Sequence, residues 1–354
     1  MIEFGGFFQR RIIALERSEH PAQPERIERL TTWVRSVLPA PLLDLHPASA
    51  DASFRRYFRA RTADGSYIVM DAPPSHEDCM PFLHVARLFR AAGANTPEIL
   101  GENLADGFLL LSDFGDTTYL AALDEENASR LYLDANAALI RIQSASRPDE
   151  LPPYDAELLL REMRLFPDWY LARHLDIRLS SEQMNRLEAT FDRILANNLA
   201  QPRVYVHRDW HSRNLMLTPD DNPGVLDFQD AVYGPITYDL ASIYKDAYIR
   251  WDEERVLDWL VRYWEAARKQ GLPVHADFGE FYRDFEWMGA QRHIKVLGIF
   301  ARLCHRDGKT GDLKDMPLVM DYLRKTCARY TGLGDFLRLL DEIEGRQAAV
   351  GYTF

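Results

Sequence analysis

The sequence has little of what marks several large classes of protein. It contains three cysteines, Cys79, Cys304 and Cys327, which lie far apart and fit neither a zinc-binding nor a disulfide pattern. No apolar run is long enough to cross a bilayer, and charges interrupt the N-terminal stretch before a secretory apolar segment can form. Basic residues number 42 against 54 acidic ones and are scattered, so the net charge is −12. We therefore expect a cytoplasmic protein whose partners are neither nucleic acid nor a membrane.

The chain does have enough apolar material, 47% of its 354 residues, for a large packed core. Residues 25–38 predict a leading helix, and the next stretch predicts strands joined by two Asp-Gly turns, with one helix at 79–93. Further amphipathic stretches predict helices at 125–146, 155–174, 181–199, 253–270, 276–304 and 314–329, and three short strands are predicted between 203 and 228. We predict an α+β fold with two lobes: a small antiparallel sheet lobe (1–112) and a mainly helical lobe (113–354).

The segment 204–230, VYVHRDWHSRNLMLTPDDNPGVLDFQD, carries the strongest chemical signal. NLML and VLDF flank a turn-rich stretch, so they predict a hairpin that brings Asn214 close to Asp227. Amide and carboxylate oxygens suit Mg²⁺ carrying nucleotide phosphates. Asp209 precedes Asn214 across a tight loop, where it can accept the proton of a hydroxyl nucleophile. Each residue taken singly is an ordinary turn or cap residue, but together they predict phosphoryl transfer from ATP, with Asp209 as the base.

HRDWHSRN followed by LDFQD resembles the aminoglycoside phosphotransferase branch of the protein-kinase-like superfamily. The resemblance implies that ATP and Mg²⁺ bind between the lobes and that Asp227 is the metal aspartate. It also implies that HRDWHSRN (207–214) is the catalytic loop and that Asp239, in YDLA, braces this loop, which is compatible with a simple helix-capping role. His207 is expected to pack and form hydrogen bonds within that loop.

A second kinase-like triplet, in SDFGD at 112–116, stands in the wrong order along the chain, before the catalytic loop. It follows the strand FLLL, where the resemblance places the hinge, at about 111–117. Main-chain groups of Leu111, Ser112 and Asp113 would then bind the adenine edge. The alternative is that this segment is a plain linker between lobes.

Two elements that such kinases use to bind ATP are missing from the first lobe. Met70 stands in SYIVMDAPP where a phosphate-binding lysine is expected, and SADASFRRYF has no glycine. One interpretation is that Arg55 or Arg56 replaces the lysine, with Ser53 and main-chain N–H groups covering the phosphates. The other is that the protein is a non-catalytic nucleotide-binding module, a pseudokinase.

The acceptor side is less sharply defined by the residues. The short distance from Asp227 to the next predicted helix leaves no room for a peptide-docking segment, which favours a small-molecule acceptor. The candidate acceptor-binding residues are His211, Gln229, Asp230 and Arg292. The helix EWMGAQRHIKVLGIFARL brings Arg292 and Lys295 to one side, where they suit an acceptor with a carboxylate, unless they simply face solvent.

VMDAPP, GFLLLSDFGDTTYL, YGPITYDLAS and QRHIKVLGIFARLCHRDGK are similar to the bacterial anomeric kinases of cell-wall sugar recycling. That resemblance, from about residue 45 to 325, implies ATP- and Mg²⁺-dependent phosphorylation of the C1 hydroxyl of N-acetylmuramate and N-acetylglucosamine. It also implies a monomer whose partners are the sugar and ATP. The alternative acceptor is another small hydroxylated or amino-sugar molecule of the aminoglycoside type.

Overall fold

The structure, a computed structural model, describes residues 24–50 and 54–345. They form two compact units, residues 24–79 with 98–113, and residues 80–97 with 114–345. The segment 80–97 thus packs as part of the second unit although it precedes the last strands of the first. The predicted lobe boundary near residue 112 stays a prediction. In the described part of the chain, every helix is too short or too polar to cross a membrane.

The first unit is a helix packed on an antiparallel sheet: the leading helix and the sheet are as the sequence predicts, whereas the helix predicted at 79–93 belongs to the second unit. Its elements are α1 (Pro24–Val37), β1 (Asp44–Ala50), β2 (Arg56–Arg61), β3 (Ser66–Asp71), β4 (Ile99–Asn103) and β5 (Phe108–Ser112). The strand order is β1-β2-β3-β5-β4, and every pair is antiparallel. Leu30 and Val34 of α1 are fully buried against Val69, Phe108 and Leu110 of the sheet. Burial of these apolar side chains stabilises the unit.

Strand β1 is not predicted by the sequence, since DLHPASA lacks the β-branched and aromatic residues typical of strands. It pairs with β2 along one edge of the sheet, with a register shift between Pro47 and Ser49. Proline cannot donate to a ladder and is tolerated on edge strands or at irregularities. The edge position therefore explains why Pro47 is tolerated in β1. The lack of strand-forming residues explains why the sequence does not predict this strand.

The second unit is mainly helical. Its helices are α2 (Met80–Ala91), α3 (Tyr119–Ala122), α4 (Ala128–Ser144), α5 (Ala156–Met163), a π-helix (Phe166–His174), α6 (Ser181–Ala200), α7 (Tyr238–Tyr244), α8 (Glu253–Lys269), α9 (Phe278–Asp307), α10 (Met316–Arg329) and α11 (Gly334–Glu344), with short 3₁₀ turns at Leu313–Asp315 and Thr331–Leu333. The predicted helices are confirmed with small shifts at their ends, except for the one at 155–174.

The single helix predicted at 155–174 is wrong, because the chain leaves the α-helix after Met163 and continues as the π-helix. Pro167 lies at the start of the π-helix. Proline lacks an N–H donor and disfavours the α conformation at the preceding residue, which accounts for the break. The amphipathic pattern runs through both segments and so cannot distinguish them.

Two small sheets lie among these helices. Strands β6 (Arg203–Val206) and β9 (Val232–Pro235) pair with each other, and β7 (Leu215–Met216) pairs with β8 (Gly224–Val225) as the predicted hairpin. Strand β9 was not among the three strands predicted for this region. The two sheets carry the catalytic loop and the residues that follow it.

Gly298 allows α9 to approach the chain between α5 and the π-helix. A Cβ atom at this position would lie 2.4 Å from the carbonyl carbon of Leu165 and 2.6 Å from its oxygen. Because both are backbone atoms, we expect Gly298→Ala to lower the free energy of unfolding by about 1–3 kcal/mol, measured by chemical denaturation. Gly311→Ala is the control, since no heavy atom beyond the adjacent residues lies within 4 Å of its added Cβ. Equal stability of the two variants would contradict this account.

Candidate active site

The hairpin β7–β8 brings the three predicted residues together. Leu226 donates its N–H to the carbonyl of Asn214 at 3.0 Å, which extends the hairpin by one residue beyond its strands. The Asn214 amide nitrogen then donates to Asp227 Oδ2 at 3.2 Å and to the main-chain carbonyl of Asp209 at 3.0 Å. Asn214 is therefore the link between the catalytic loop and the residue that follows the second strand.

The donor set of Asn214 and Asp227 fits a hard divalent cation. Because the amide nitrogen of Asn214 faces Asp209 and Asp227, its other terminal atom, the amide oxygen, is left for a metal. Asp227 is exposed, and its backbone has a φ of 61°, in the left-handed region that costs a non-glycine residue free energy. A carboxylate and an amide oxygen, completed by phosphate oxygens and water, make up the kind of Mg²⁺ site that nucleotide-binding enzymes use.

Asp209 is a carboxylate surrounded by positive charge. The Asp209 side chain is 39% exposed to solvent, and Arg292 Nη1 lies 3.8 Å from Asp209 Oδ1. Burial acts to raise the pKa of Asp209, but the nearby Lys295 and Arg292 outweigh burial and lower that pKa to about 2. The group is therefore ionised throughout the neutral range and can accept a hydrogen bond from a hydroxyl.

His207 connects the catalytic loop to the second strand of the hairpin. Its Nδ1 lies 3.2 Å from the backbone nitrogen of Asp209, and its Nε2 lies 2.9 Å from the carbonyl of Leu226. Since an N–H can only donate, Nδ1 accepts and Nε2 carries the proton. Complete burial lowers the pKa of His207 to about 4, which keeps the ring neutral and in this tautomer. The position agrees with the packing role predicted for His207.

Asp239 accepts hydrogen bonds from the backbone of the catalytic loop. Its two oxygens receive the N–H groups of His207 at 2.7 Å and Arg208 at 3.0 Å. The cap residue of α7 is Thr237, so Asp239 is not the N-cap. Burial raises the pKa of Asp239 to about 7, and the two N–H donors partly oppose that rise. These two hydrogen bonds to Asp239 fix the backbone at the start of the catalytic loop.

Arg292 and Lys295 of α9 are buried, so the interpretation that these two residues face solvent is wrong. Arg292 donates to the carbonyl of Arg208 at 2.9 Å, and Lys295 Nζ lies 3.0 Å from Glu162 Oε1 and donates to Tyr238 at 3.0 Å. Sequence reasoning missed Glu162 altogether. The one signal in its helix AELLLREM is a break in the amphipathic pattern, because Glu162 lies on the same face as the buried Leu159 and Met163.

The three other acceptor-side candidates occupy different environments. His211 stacks edge-on to Tyr248, with its Nε2 3.5 Å from the Asn214 amide. Gln229 donates to Asp227 Oδ1 at 2.8 Å, so it contacts the carboxylate predicted to bind the metal. Asp230 is exposed, and its main-chain carbonyl accepts from Arg208 at 3.2 Å. All three lie in or beside the catalytic loop and hairpin.

In the first unit, both arginines proposed as phosphate partners already contact carboxylates. Arg55 Nε lies 3.1 Å from Glu77, and Arg56 forms an ion pair with the fully buried Asp71. Ser53 lies outside the described residues. The phosphate-binding role of these side chains stays a prediction.

The predicted hinge residues end strand β5. Leu111 pairs with Ile68 in β3, and the N–H of Ser112 donates to the carbonyl of Glu98 at 3.0 Å. The carboxylate of Asp113 receives Arg59 in a two-point contact at 2.6 and 3.1 Å. The adenine-binding role of the three residues likewise stays a prediction.

Comparison with known proteins places these features in a family. A model described as the phosphotransferase enzyme family matches residues 44–278. The chain therefore belongs to the phosphotransferase enzyme family, as its sequence indicates. A solved structure, aminoglycoside phosphotransferase APH(2'')-Ib bound to ADP, shares the fold with a TM-score of 0.56, 15% sequence identity and coverage of 86% of this chain and 99% of that one. The predicted kinase-like α+β fold is thereby confirmed.

Similarity to curated proteins is closer. The chain is 48% identical to the N-acetylmuramate/N-acetylglucosamine kinase of Pseudomonas aeruginosa over 91% of its own length and 98% of the relative's. It is also 48% identical to the protein of the same name from Neisseria meningitidis, over 93% of this chain and 100% of the relative. Family and relatives together support an ATP-using kinase.

Proposed function

We propose that this protein transfers the γ-phosphoryl group of ATP to the C1 hydroxyl of N-acetylmuramate and N-acetylglucosamine. The observation that carries the proposal is the convergence of Asp209, Asn214 and Asp227 at one hairpin, in a chain nearly half identical to relatives named for that activity. Phosphoryl transfer requires mainly positioning and neutralisation of charge, and these side chains supply both.

Each of the three residues has a distinct role in this proposal. Asn214 and Asp227 hold Mg²⁺, which when bound neutralises the phosphate oxygens. Asp209 accepts a hydrogen bond from the sugar hydroxyl, orients it and takes its proton. A carboxylate of low pKa is adequate, because the transition state is loose and the proton leaves late. An anomeric hydroxyl is also more acidic than an ordinary alcohol, which lessens the demand on the base.

The remaining predicted residues are proposed to contact the acceptor, the catalytic loop or ATP. His211, Gln229, Asp230 and Arg292 surround the acceptor, while His207 and Asp239 hold the loop. Ser53, Arg55 or Arg56 binds the phosphates, and main-chain groups of Leu111, Ser112 and Asp113 bind adenine. The N–H of Ser112 already has a partner, so its contribution to adenine would come through the carbonyl.

The test is an acceptor panel with ATP and Mg²⁺, monitored by ADP release. N-acetylmuramate and N-acetylglucosamine should give product, whereas the methyl glycoside of N-acetylglucosamine should give none because its C1 oxygen is blocked. Phosphorus NMR of the product should show coupling to the anomeric proton. Turnover of the methyl glycoside would move the reaction to another hydroxyl, and turnover of an aminoglycoside alone would contradict the proposed acceptor. ATP binding without turnover of any acceptor would favour a non-catalytic nucleotide-binding protein.

A further inference from the structure

Glu162, on α5, is a buried carboxylate that contacts two cations and two further donors. Its Oε1 lies 2.5 Å from Arg208 Nη2 and 3.0 Å from Lys295 Nζ. Its Oε2 accepts from the Tyr154 hydroxyl and from Gln291 at 3.3 Å. Burial acts to raise the pKa of Glu162, but Lys295 and Arg208 outweigh it and hold the pKa below its usual range. The group is thus an ionised carboxylate with every oxygen in use.

Arg208, the residue immediately before the proposed base, makes four polar contacts. Its N–H donates to Asp239 at 3.0 Å and its carbonyl accepts from Arg292 at 2.9 Å. Its guanidinium donates to the carbonyl of Asp230 at 3.2 Å and pairs with Glu162. Its backbone has a φ of 76°, in the left-handed region that non-glycine residues avoid. Such a conformation persists only when the surroundings impose it. Of these four contacts, only the pairing with Glu162 is an ion pair between side chains.

We propose that Glu162 is a positioning residue, which holds Arg208 in its left-handed conformation and thereby aims Asp209 at the acceptor hydroxyl. This inference rests on the proposed role of Asp209 as base. Arg208 and Asp209 are adjacent, so a rotation of the Arg208 backbone moves the Asp209 carboxylate directly. A misplacement of about 1 Å, caused by a change away from the reacting groups, can lower the rate by roughly a hundredfold.

The charge balance gives Glu162 a second effect on the same carboxylate. Lys295 and Arg208 both contact Glu162, and both also act on Asp209. Without the negative charge of Glu162, those cations would be left uncompensated in a buried site and would attract the Asp209 carboxylate away from the acceptor. Loss of Glu162 is therefore expected to move the Asp209 carboxylate away from the acceptor in two ways, through the Arg208 backbone and through the uncompensated cations.

Glu162→Gln tests the inference because it keeps the volume of the side chain and removes the charge. We expect kcat to fall by about tenfold to a hundredfold per ATP-binding molecule, while the KM for ATP changes by less than about twofold. Hydrogen exchange of the backbone at 207–214, measured by mass spectrometry, should become faster. Glu162→Asp, which keeps the charge on a shorter side chain, should recover part of both losses.

Glu286→Gln is the matched control. Glu286 is also a buried glutamate that contacts two cations, Lys245 Nζ at 2.8 Å and Arg329 Nη1 at 2.8 Å, and it lies on α9. Its loss should destabilise the protein in a similar way without changing kcat per ATP-binding molecule or exchange at 207–214. Equal kcat and equal exchange in the two variants would overturn the inference.

The outcomes separate this inference from the proposed function. If the wild-type protein phosphorylates no acceptor in the panel, the proposed function fails, and exchange at 207–214 still reports whether Glu162 holds the loop. If Glu162→Gln does not fold, Glu162→Asp carries the same comparison against Glu286→Asp. Unchanged loop exchange and unchanged kcat in Glu162→Asp would then reject the positioning role.

Discussion

Replacement of Asp209 by asparagine is expected to lower kcat by about 10²–10⁴-fold while leaving ATP binding unchanged. Asparagine has nearly the same shape, but its amide cannot take the proton of the acceptor hydroxyl. The contact from Asn214 goes to the main-chain carbonyl of Asp209, so the loop should keep its conformation in the variant. Turnover is measured by ADP release under saturating ATP, and ATP affinity by calorimetry.

Asp220→Asn is the matched control for that substitution. Asp220 is an exposed aspartate in the turn between β7 and β8, where loss of its charge should leave kcat within about twofold of wild type. Near-normal turnover by Asp209→Asn would remove Asp209 from the mechanism. If Asp209→Asn loses both ATP binding and turnover, Asp209 contacts the nucleotide instead of the acceptor.

The hairpin and its three polar residues could be predicted because the information is local. NLML and VLDF are separated by a turn-rich stretch, so their pairing follows from neighbouring residues, and the structure confirms Leu215 opposite Val225. The resemblance to known kinases adds the order of the motifs, which identifies SDFGD as the segment at the end of β5. Local pattern and family likeness therefore agree on the same residues.

The cluster around Glu162 could not be predicted because its contacts are distant in the sequence. Glu162 is 46 positions from Arg208, and its other cation, Lys295, lies on α9. A glutamate in a helix is ordinarily exposed, and only tertiary packing brings this one among cations. The same reasoning applies to the burial of Arg292 and Lys295, because their contacts with the carbonyl of Arg208 and with Glu162 are also distant in the sequence.

The break at the π-helix shows a different limit. The apolar spacing through 155–174 is compatible with both helix types, and Pro167 is the one local sign of a change. The close approach of Gly298 to Leu165 depends on this segment and is visible only once α9 is in place. The apolar periodicity therefore does not distinguish an α-helix from a π-helix here, and the packing of distant segments does.

Replacement of Asp227 by asparagine is expected to lower kcat by about 10²–10³-fold or more. Asp227 is the single carboxylate of the proposed metal pair, so the substitution removes the only negative charge that the pair offers to Mg²⁺. The expected signature is a shift in metal dependence: half-maximal activity should require much more Mg²⁺, while ATP binding without metal should change little. Titration of activity with Mg²⁺ at fixed ATP measures the shift.

Asp221→Asn provides the control, because Asp221 lies in the same hairpin, is exposed and has a left-handed backbone (φ 48°) like that of Asp227 (φ 61°). Asparagine tolerates this conformation well, so neither variant should be strained by the substitution. The Mg²⁺ requirement of Asp221→Asn should equal that of wild type. If Asp227→Asn also keeps the wild-type requirement, the metal is held elsewhere. Asn214 and Asp227 would then serve only to join the hairpin to the catalytic loop through their hydrogen bond.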